Sequence, residues 1–305
     1  MEHVLYDNSL WAWGSNFVNQ IGNGNTEYQP HPVKIMSDVV SVAAGDNSTM
    51  AITTDGTLWG WGHNRYGTLG DVAVRYVERP IRLLDDVVDV SLHFTHALAL
   101  RSDGSLWGWG LASALGIGVG FPEQSGATGA DLLDYMIFEP IELMRDVISF
   151  DAGAAFSMVI TSDNTLWAWG INTRGQVGAE PFPNARYPVR VMDDVVAVAA
   201  GGLHAIALTS SGSVYSWGGN MWMGGNPTAR VANSSPYDQP TPTWVMDDVV
   251  QIFVGGFDAH AVFAAVQSDG TIWGWGDNWF NQISQESVLY HAEPVPLHGL
   301  IMVFD

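Results

Sequence analysis

Cysteine is absent from the 305 residues. That excludes disulfide staples, thiol catalysis and thiolate metal sites. It leaves the compartment open, because cytosolic and secreted folds alike can dispense with cysteine. Basic residues are scarce: Lys and Arg total 11 against 32 Asp and Glu, a formal net charge of −21. Such a surface repels phosphate and lacks the cations that displace its counterions, which excludes nucleic acid as a partner. Only 14% of residues are charged and 47% are apolar, a balance that excludes disorder. No run approaches the ~18 apolar residues of a spanning helix, so membrane insertion is not expected. The opening MEHVLYDNSLWAWG has neither the basic stretch nor the apolar core of a signal peptide. A secreted domain with its signal removed would read the same.

Tryptophan, by contrast, is abundant, and 11 of the 14 stand in one recurring phrase. It reads WAWG at 11–14, WGWG at 59–62 and 107–110, WAWG at 167–170, YSWG at 215–218 and WGWG at 273–276. A recurring phrase at near-constant spacing is the signature of a repeat architecture. Each unit has the same order. An apolar run opens on Asp38, Asp86, Asp146, Asp194 or Asp248, and a second run follows. Next comes a turn pair (Asp55-Gly56, Asp103-Gly104, Asp163-Asn164, Ser211-Gly212, Asp269-Gly270), which predicts a two-residue type I′ hairpin. The tryptophan strand and a short proline-opened fourth run (PVKIM, PIRLL and their counterparts) complete the unit. Four strands per unit, six times over, predict an all-β, six-bladed β-propeller as a single domain over 1–305.

Period-two alternation puts both aromatics of the phrase on one face and a small residue (Ala12, Gly60, Gly108, Ala168, Ser216, Gly274) on the other. All eleven tryptophans are therefore expected in the core, each blade filling its neighbour's hollow. The C-terminal run 300–305 aligns with a first strand and residues 1–4 with a second. Pairing of these ends within one blade is expected to close the ring.

The Asp-Val-Val run, the Ala200-Gly201 to His204 turn, the hairpin pair, the tryptophan phrase and the N-xxx-Q-[ILV]-G phrase at 16–22 and 172–178 resemble the regulator of chromosome condensation repeat family. The resemblance covers essentially the whole chain and implies a propeller, although members usually have seven blades. Functions in that family include nucleotide exchange on a small GTPase, ultraviolet-B sensing and, in a propeller more distantly similar to this chain, inhibition of β-lactamases. The repeats also resemble those of bacterial surface or secreted proteins, which implies an extracellular or cell-surface location. A cytoplasmic one stays open. Fold alone does not fix function.

No serine elbow, zinc helix, phosphate loop or complete calcium loop is present, and no enzyme activity, cofactor or metal is expected. His96, His204 and His260 recur at a position where Ser48 and Phe156 stand elsewhere, which reads as packing. The acidic turns Asp85-Asp86, Asp193-Asp194 and Asp247-Asp248 read as solvated charge and not as a cation site. The connection after the tryptophan phrase says more. It is long in the third and fifth repeats (111–145 and 219–247), with a short helix expected near 132–138. At its start large apolar side chains gather in repeats five, six, one and two: Met221 and Trp222, Trp279 and Phe280, Phe17, and Tyr66. Around a closed ring these form one aromatic arc. Trp244, standing where other repeats carry Lys34, Arg82, Glu142 and Arg190, is expected on an outer rim. Aromatics and Met anchor protein interfaces. The expected function is thus non-enzymatic binding, as a monomer, of a protein partner that offers a basic patch. Carbohydrate binding, a structural surface role and a nucleotide-exchange-like regulator are the alternatives.

Overall fold

The computed structural model describes residues 1–45, 47–70, 74–119, 135–220, 232, 237–255, 261–285 and 288–297. They form antiparallel β-sheets, one per tryptophan phrase, with a 3₁₀ turn at Ala112–Ala114 and a further 3₁₀ residue at Tyr135. Among them no helix is long and apolar enough to cross a membrane. The second repeat is typical: Val39–Ala44, Ser48–Thr53, Leu58–His63 and Tyr76–Leu84 pair in chain order. The first sheet has three strands, Glu2–Tyr6, Ser9–Gly14 and Gln29–Met36. The run 300–305, expected to complete it, lies outside the described residues. The chain divides into two compact units, Met1–Val147 and Ile148–Asp305. The first holds an apolar cluster running from Leu10 through Trp61 to Trp109, and the second holds clusters around Trp217 and Trp275.

The hairpins correct the type I′ expectation. Gly56 N–H donates to Thr53 O, Thr53 N–H donates to Thr57 O, and only Gly56 of the pair has positive φ, +80°. This is a three-residue loop, a type I turn closed by a left-handed residue. Gly104, Asn164, Gly212 and Gly270 repeat the pattern. Asp55 Oδ1 accepts from Thr53 Oγ1 at 2.7 Å and from Thr57 N–H at 3.1 Å, so the aspartate braces the turn with its side chain. A type I′ pair does occur at Asp7-Asn8, with both φ values near +50°. The carbonyl of the left-handed residue then accepts the first N–H of the following repeat: Asn8 O from Val39, Gly56 O from Val87 and Gly104 O from Val147 in the first unit, Asn164 O from Val195 and Gly212 O from Val249 in the second.

The fourth strands start before their prolines instead of at them. Gly60 pairs with Ile81 and Gly62 with Val77, so four steps on the outer strand oppose two on the inner one. Pro80 falls inside that bulge, where no ladder bond is asked of it. Pro140, Pro188 and Pro240 occupy the same bulge in their repeats. Met136–Met144 is one of these fourth strands. The end of the expected 132–138 helix is therefore strand, and 132–134 lies outside the described residues.

In repeats two to six the two aromatics of the phrase share a face but not a depth, and in the first repeat Trp11 and Trp13 are both half-buried, which corrects their common assignment to the core. Trp61, Trp109, Trp169, Trp217 and Trp275 are fully buried, whereas Trp59, Trp107, Trp167, Tyr215 and Trp273 are half-buried. The hollow over the small residue is filled from within the same repeat: a Cβ on Gly60 would lie 2.6 Å from Leu83 Cδ1 and 2.8 Å from Leu69 Cδ2. The closing glycine of the phrase has a separate cause. Gly62 has φ +104°, and a Cβ there would stand 2.5 Å from Asn47 O.

Candidate partner-binding loops

In every repeat but the third, where Ala112 opens a 3₁₀ turn, the tryptophan strand runs through its glycine into a loop organised by one buried asparagine. Asn16 Oδ1 accepts the Ile21 N–H at 2.9 Å while its Nδ2 donates to Asn25 O at 2.7 Å. Asn172 holds Val177 N–H and Ala179 O in the same way, and Asn278 holds Ile283 N–H and Val288 O. With its backbone pinned from inside, the loop presents the two residues after the asparagine at its tip. Their identities then decide what the repeat offers to solvent.

In the sixth repeat those residues are Trp279 and Phe280, 52% and 73% exposed. A second layer of bonds fixes them: Phe280 N–H donates to Gln282 Oε1 at 2.8 Å, and Gln282 Nε2 donates to Asp277 Oδ2 at 2.7 Å. Trp279 N–H reaches the same carboxylate oxygen at 3.3 Å. Phe17 in the first repeat is 75% exposed, and the Val18 N–H beside it donates to Gln20 Oε1 at 3.0 Å. Tyr66 is different. Its ring packs edge-on against Phe94 at 5.1 Å and carries the Arg65 guanidinium at 5.4 Å, so it is partly folded down. Met221 and Trp222 lie outside the described residues.

Trp244 stands opposite Tyr215, in the register where Lys34 faces Trp11, Arg82 faces Trp59 and Arg190 faces Trp167. It is 54% exposed, and its Nε1 donates to Asp247 Oδ1 at 3.0 Å. Ser213 Oγ also donates to that oxygen, and the Ser213 and Trp244 bonds together hold the Asp247 carboxyl below the usual carboxylate range.

The recurrent histidines are interior groups. His96 and His204 are fully buried, and Phe156 fills the same strand position in the fourth repeat. Burial, aided by the charge of His93, lowers His96 to about 3. A Cβ on Gly201 would meet the His204 ring, which packs edge-on against Phe263 at 4.9 Å. His260 lies outside the described residues.

Two features are not apparent from the sequence alone. The Asp277–Gln282 clamp beside Trp279 has its signal in an N-xxx-Q-I run at 278–283 that ends in Ser284 instead of glycine. A cluster of cations in the second repeat has its signal in four of the 11 basic residues, Arg65, Arg75, Arg79 and Arg82, falling within 65–82.

The regulator of chromosome condensation (RCC1) repeat signature matches residues 39–68, 147–176 and 195–220, and a second form of it matches residues 7–52. The chain carries RCC1 repeats and has the fold of a β-propeller. No curated protein matches it by sequence. Among solved structures it is similar to yeast RCC1 (Prp20) bound to Kap60, with a TM-score of 0.74 and 21% identity over 95% of this propeller and 71% of that chain. It is also similar to Saccharomyces cerevisiae Prp20p, described with its binding to Gsp1p and histones (TM-score 0.73, 22% identity, 95% and 73% coverage). Human WBSCR16 is a third (TM-score 0.75, 21% identity, 94% and 78% coverage). These likenesses establish the fold of the propeller, and its function rests on its own loops.

Proposed function

We propose that this chain is a non-enzymatic propeller that binds a protein partner through the aromatic residues at its loop tips. The observation that carries the reading is the Trp279–Phe280 pair, more than half exposed on a backbone held by Asn278, Gln282 and Asp277. Large aromatic surface on a rigid loop is left unsatisfied in water and loses little entropy on docking. Phe17 and Trp244 are further anchors, each on its own unit. The net charge of −21 favours a partner with a basic patch and steers its approach. Protein partners are named for Prp20, whose structures were determined with Kap60 and studied with Gsp1p and histones.

Capture from the producer's lysate and culture medium tests this, with wild type run beside a Trp279→Ala/Phe280→Ala variant of matched melting temperature. A protein retained by wild type and lost by the variant supports the reading, and its on-rate should fall with added salt. Equal capture by both would move the site to Trp244 or to the connections 111–145 and 219–247.

Carbohydrate binding is the second reading, favoured by the carboxylate–amide pair Asp277–Gln282 flanking an exposed tryptophan face. Saturable glycan-array binding abolished by Trp279→Ala, with no protein captured, would put it first.

A further inference from the structure

On a chain of net charge −21, one surface of the first unit runs the other way. Arg65, Arg75 and Arg79 are exposed, and among the described residues none of them forms an ion pair. By contrast Arg82, Arg145, Arg174 and Arg190 each bind a carboxylate at 2.6–3.1 Å. Instead, Arg65 and Arg75 lie over aromatic faces, 5.4 Å from the Tyr66 centroid and 5.5 Å from that of Tyr76. A guanidinium on an aromatic face keeps its hydrogen-bonding edge free for an oxyanion. Tyr76 is itself stacked on His63 at 5.4 Å. Burial first, and then the charges of Arg75 and Arg65, lower the His63 pKa. The imidazole therefore stays neutral, and the positive charge here belongs to the arginines.

Arg79 lines an apolar groove of about 320 Å³ with Leu69, Val74, Tyr76, Val77 and Ile81; Glu78 is the one carboxylate of that lining, and Arg75 stands in the chain between the lining residues Val74 and Tyr76. Val74, Tyr76 and Ile81 are each about 40% exposed. An apolar floor with unpaired guanidinium groups at its edge is the complement of an apolar side chain flanked by carboxylates. Nucleic acid and anionic bilayers offer negative charge too, but the field of the whole chain repels an extended polyanion and admits a short one.

We infer that the groove of the second repeat docks an acidic peptide segment of a partner protein, an apolar side chain entering between Leu69, Val77 and Ile81 while its neighbouring carboxylates meet Arg75 and Arg79. The site is independent of the loop aromatics, and its failure would leave them untouched.

The test uses the full chain and short fluorescein-labelled peptides read by fluorescence anisotropy. One peptide alternates aspartate with leucine, a second has serine for leucine, and a third has lysine for aspartate. Wild type should bind the first saturably and the other two about tenfold or more weakly. Arg75→Ala/Arg79→Ala should lose a similar factor, whereas Arg145→Ala/Arg190→Ala, which removes the same charge from arginines already paired, should not. The Arg79 guanidinium lies against Gly24, so the double variant can loosen that loop. Arg75→Glu alone, on an exposed side chain, must then show the loss at an unchanged melting temperature. No saturable binding by wild type, or equal loss in both double variants, overturns the inference. So does a concentration-dependent dimer of wild type that Arg75→Ala/Arg79→Ala abolishes, since the occupant would then be a second copy of this chain.

Discussion

Trp61 donates its indole N–H to the backbone carbonyl of Gln20, 2.9 Å away in the preceding repeat. Trp109 does the same to Thr68 at 2.6 Å, and in the second unit Trp217 does so to Gln176 at 3.0 Å. The tryptophan phrase and the asparagine-loop phrase are therefore two halves of one contact, made between successive repeats within each unit. The loop's glycine belongs to it as well, because a Cβ on Gly178 would stand 2.6 Å from Trp217 Nε1.

Trp217→Phe should accordingly cost about 2–4 kcal/mol, since it opens a small cavity and leaves the buried Gln176 carbonyl without its donor. Gly178→Ala should cost a similar amount, through the contact and its φ of +83°. Both act on one junction, so urea unfolding followed by circular dichroism should find the double variant less destabilised than the two losses added. Strict additivity would mean that the junction is not the unit it looks like.

The asparagine column predicts a different failure. Asn172 is fully buried, with Val177 N–H bonded to its Oδ1 and Ala179 O and Pro181 O bonded to its Nδ2. Asn172→Ala strands all three, at about 1–3 kcal/mol or more. Asn172→Asp keeps the acceptor but removes both donors and should rescue little. Near-wild-type urea midpoints for the aspartate variant would show that the carbonyl side of the loop carries no weight.

His96 makes stability depend on pH with a definite sign. Its folded pKa is about 3, well below the ordinary 6.5. Above 6.5 the group is neutral in both states and contributes no pH dependence. As pH falls toward 3 the unfolded chain gains a proton that the folded one refuses, and stability drops by about 1.4 kcal/mol per unit. His96→Phe, which copies Phe156 at the same strand position, should lose about 2 kcal/mol less than wild type between pH 7 and 5. Denaturant titrations at the two pH values decide it, and parallel losses would place His96 in contact with solvent.

Much of this is legible in the residues and some is not. The strand order and the rim position of Trp244 follow from spacing, because each repeat keeps the same register against its neighbour strand. The exposure of Phe17, Trp279 and Phe280 follows from their place just after a loop-organising asparagine. Depth is another matter. Alternation assigns Trp59 and Trp61 to one face, and only the position of the preceding loop shows that the second is sealed while the first meets solvent. The hairpin type eludes the sequence because Asp-Gly serves both turn classes, and the choice lies with the Asp55 carboxylate bridging Thr53 and Thr57. The arginines of the second repeat are hidden by a whole-chain charge that averages them away.

Trp244 offers the most direct comparison between repeats. Arg82 pairs with Asp85 and Arg190 with Asp193, each at 2.6 Å and three residues apart, and Trp244 donates to Asp247 at the same spacing. The local geometry thus accepts a guanidinium where this repeat has an indole. Trp244→Arg should form the ion pair of its counterparts, and because such exposed pairs contribute little, the melting free energy should move by no more than about 0.5 kcal/mol. What changes is the surface, which exchanges a half-exposed aromatic for a paired charge. If partner capture falls with this substitution while the thermal melt holds, Trp244 is an anchor. If the melt falls instead, the indole was covering its own sheet and has no claim on a partner.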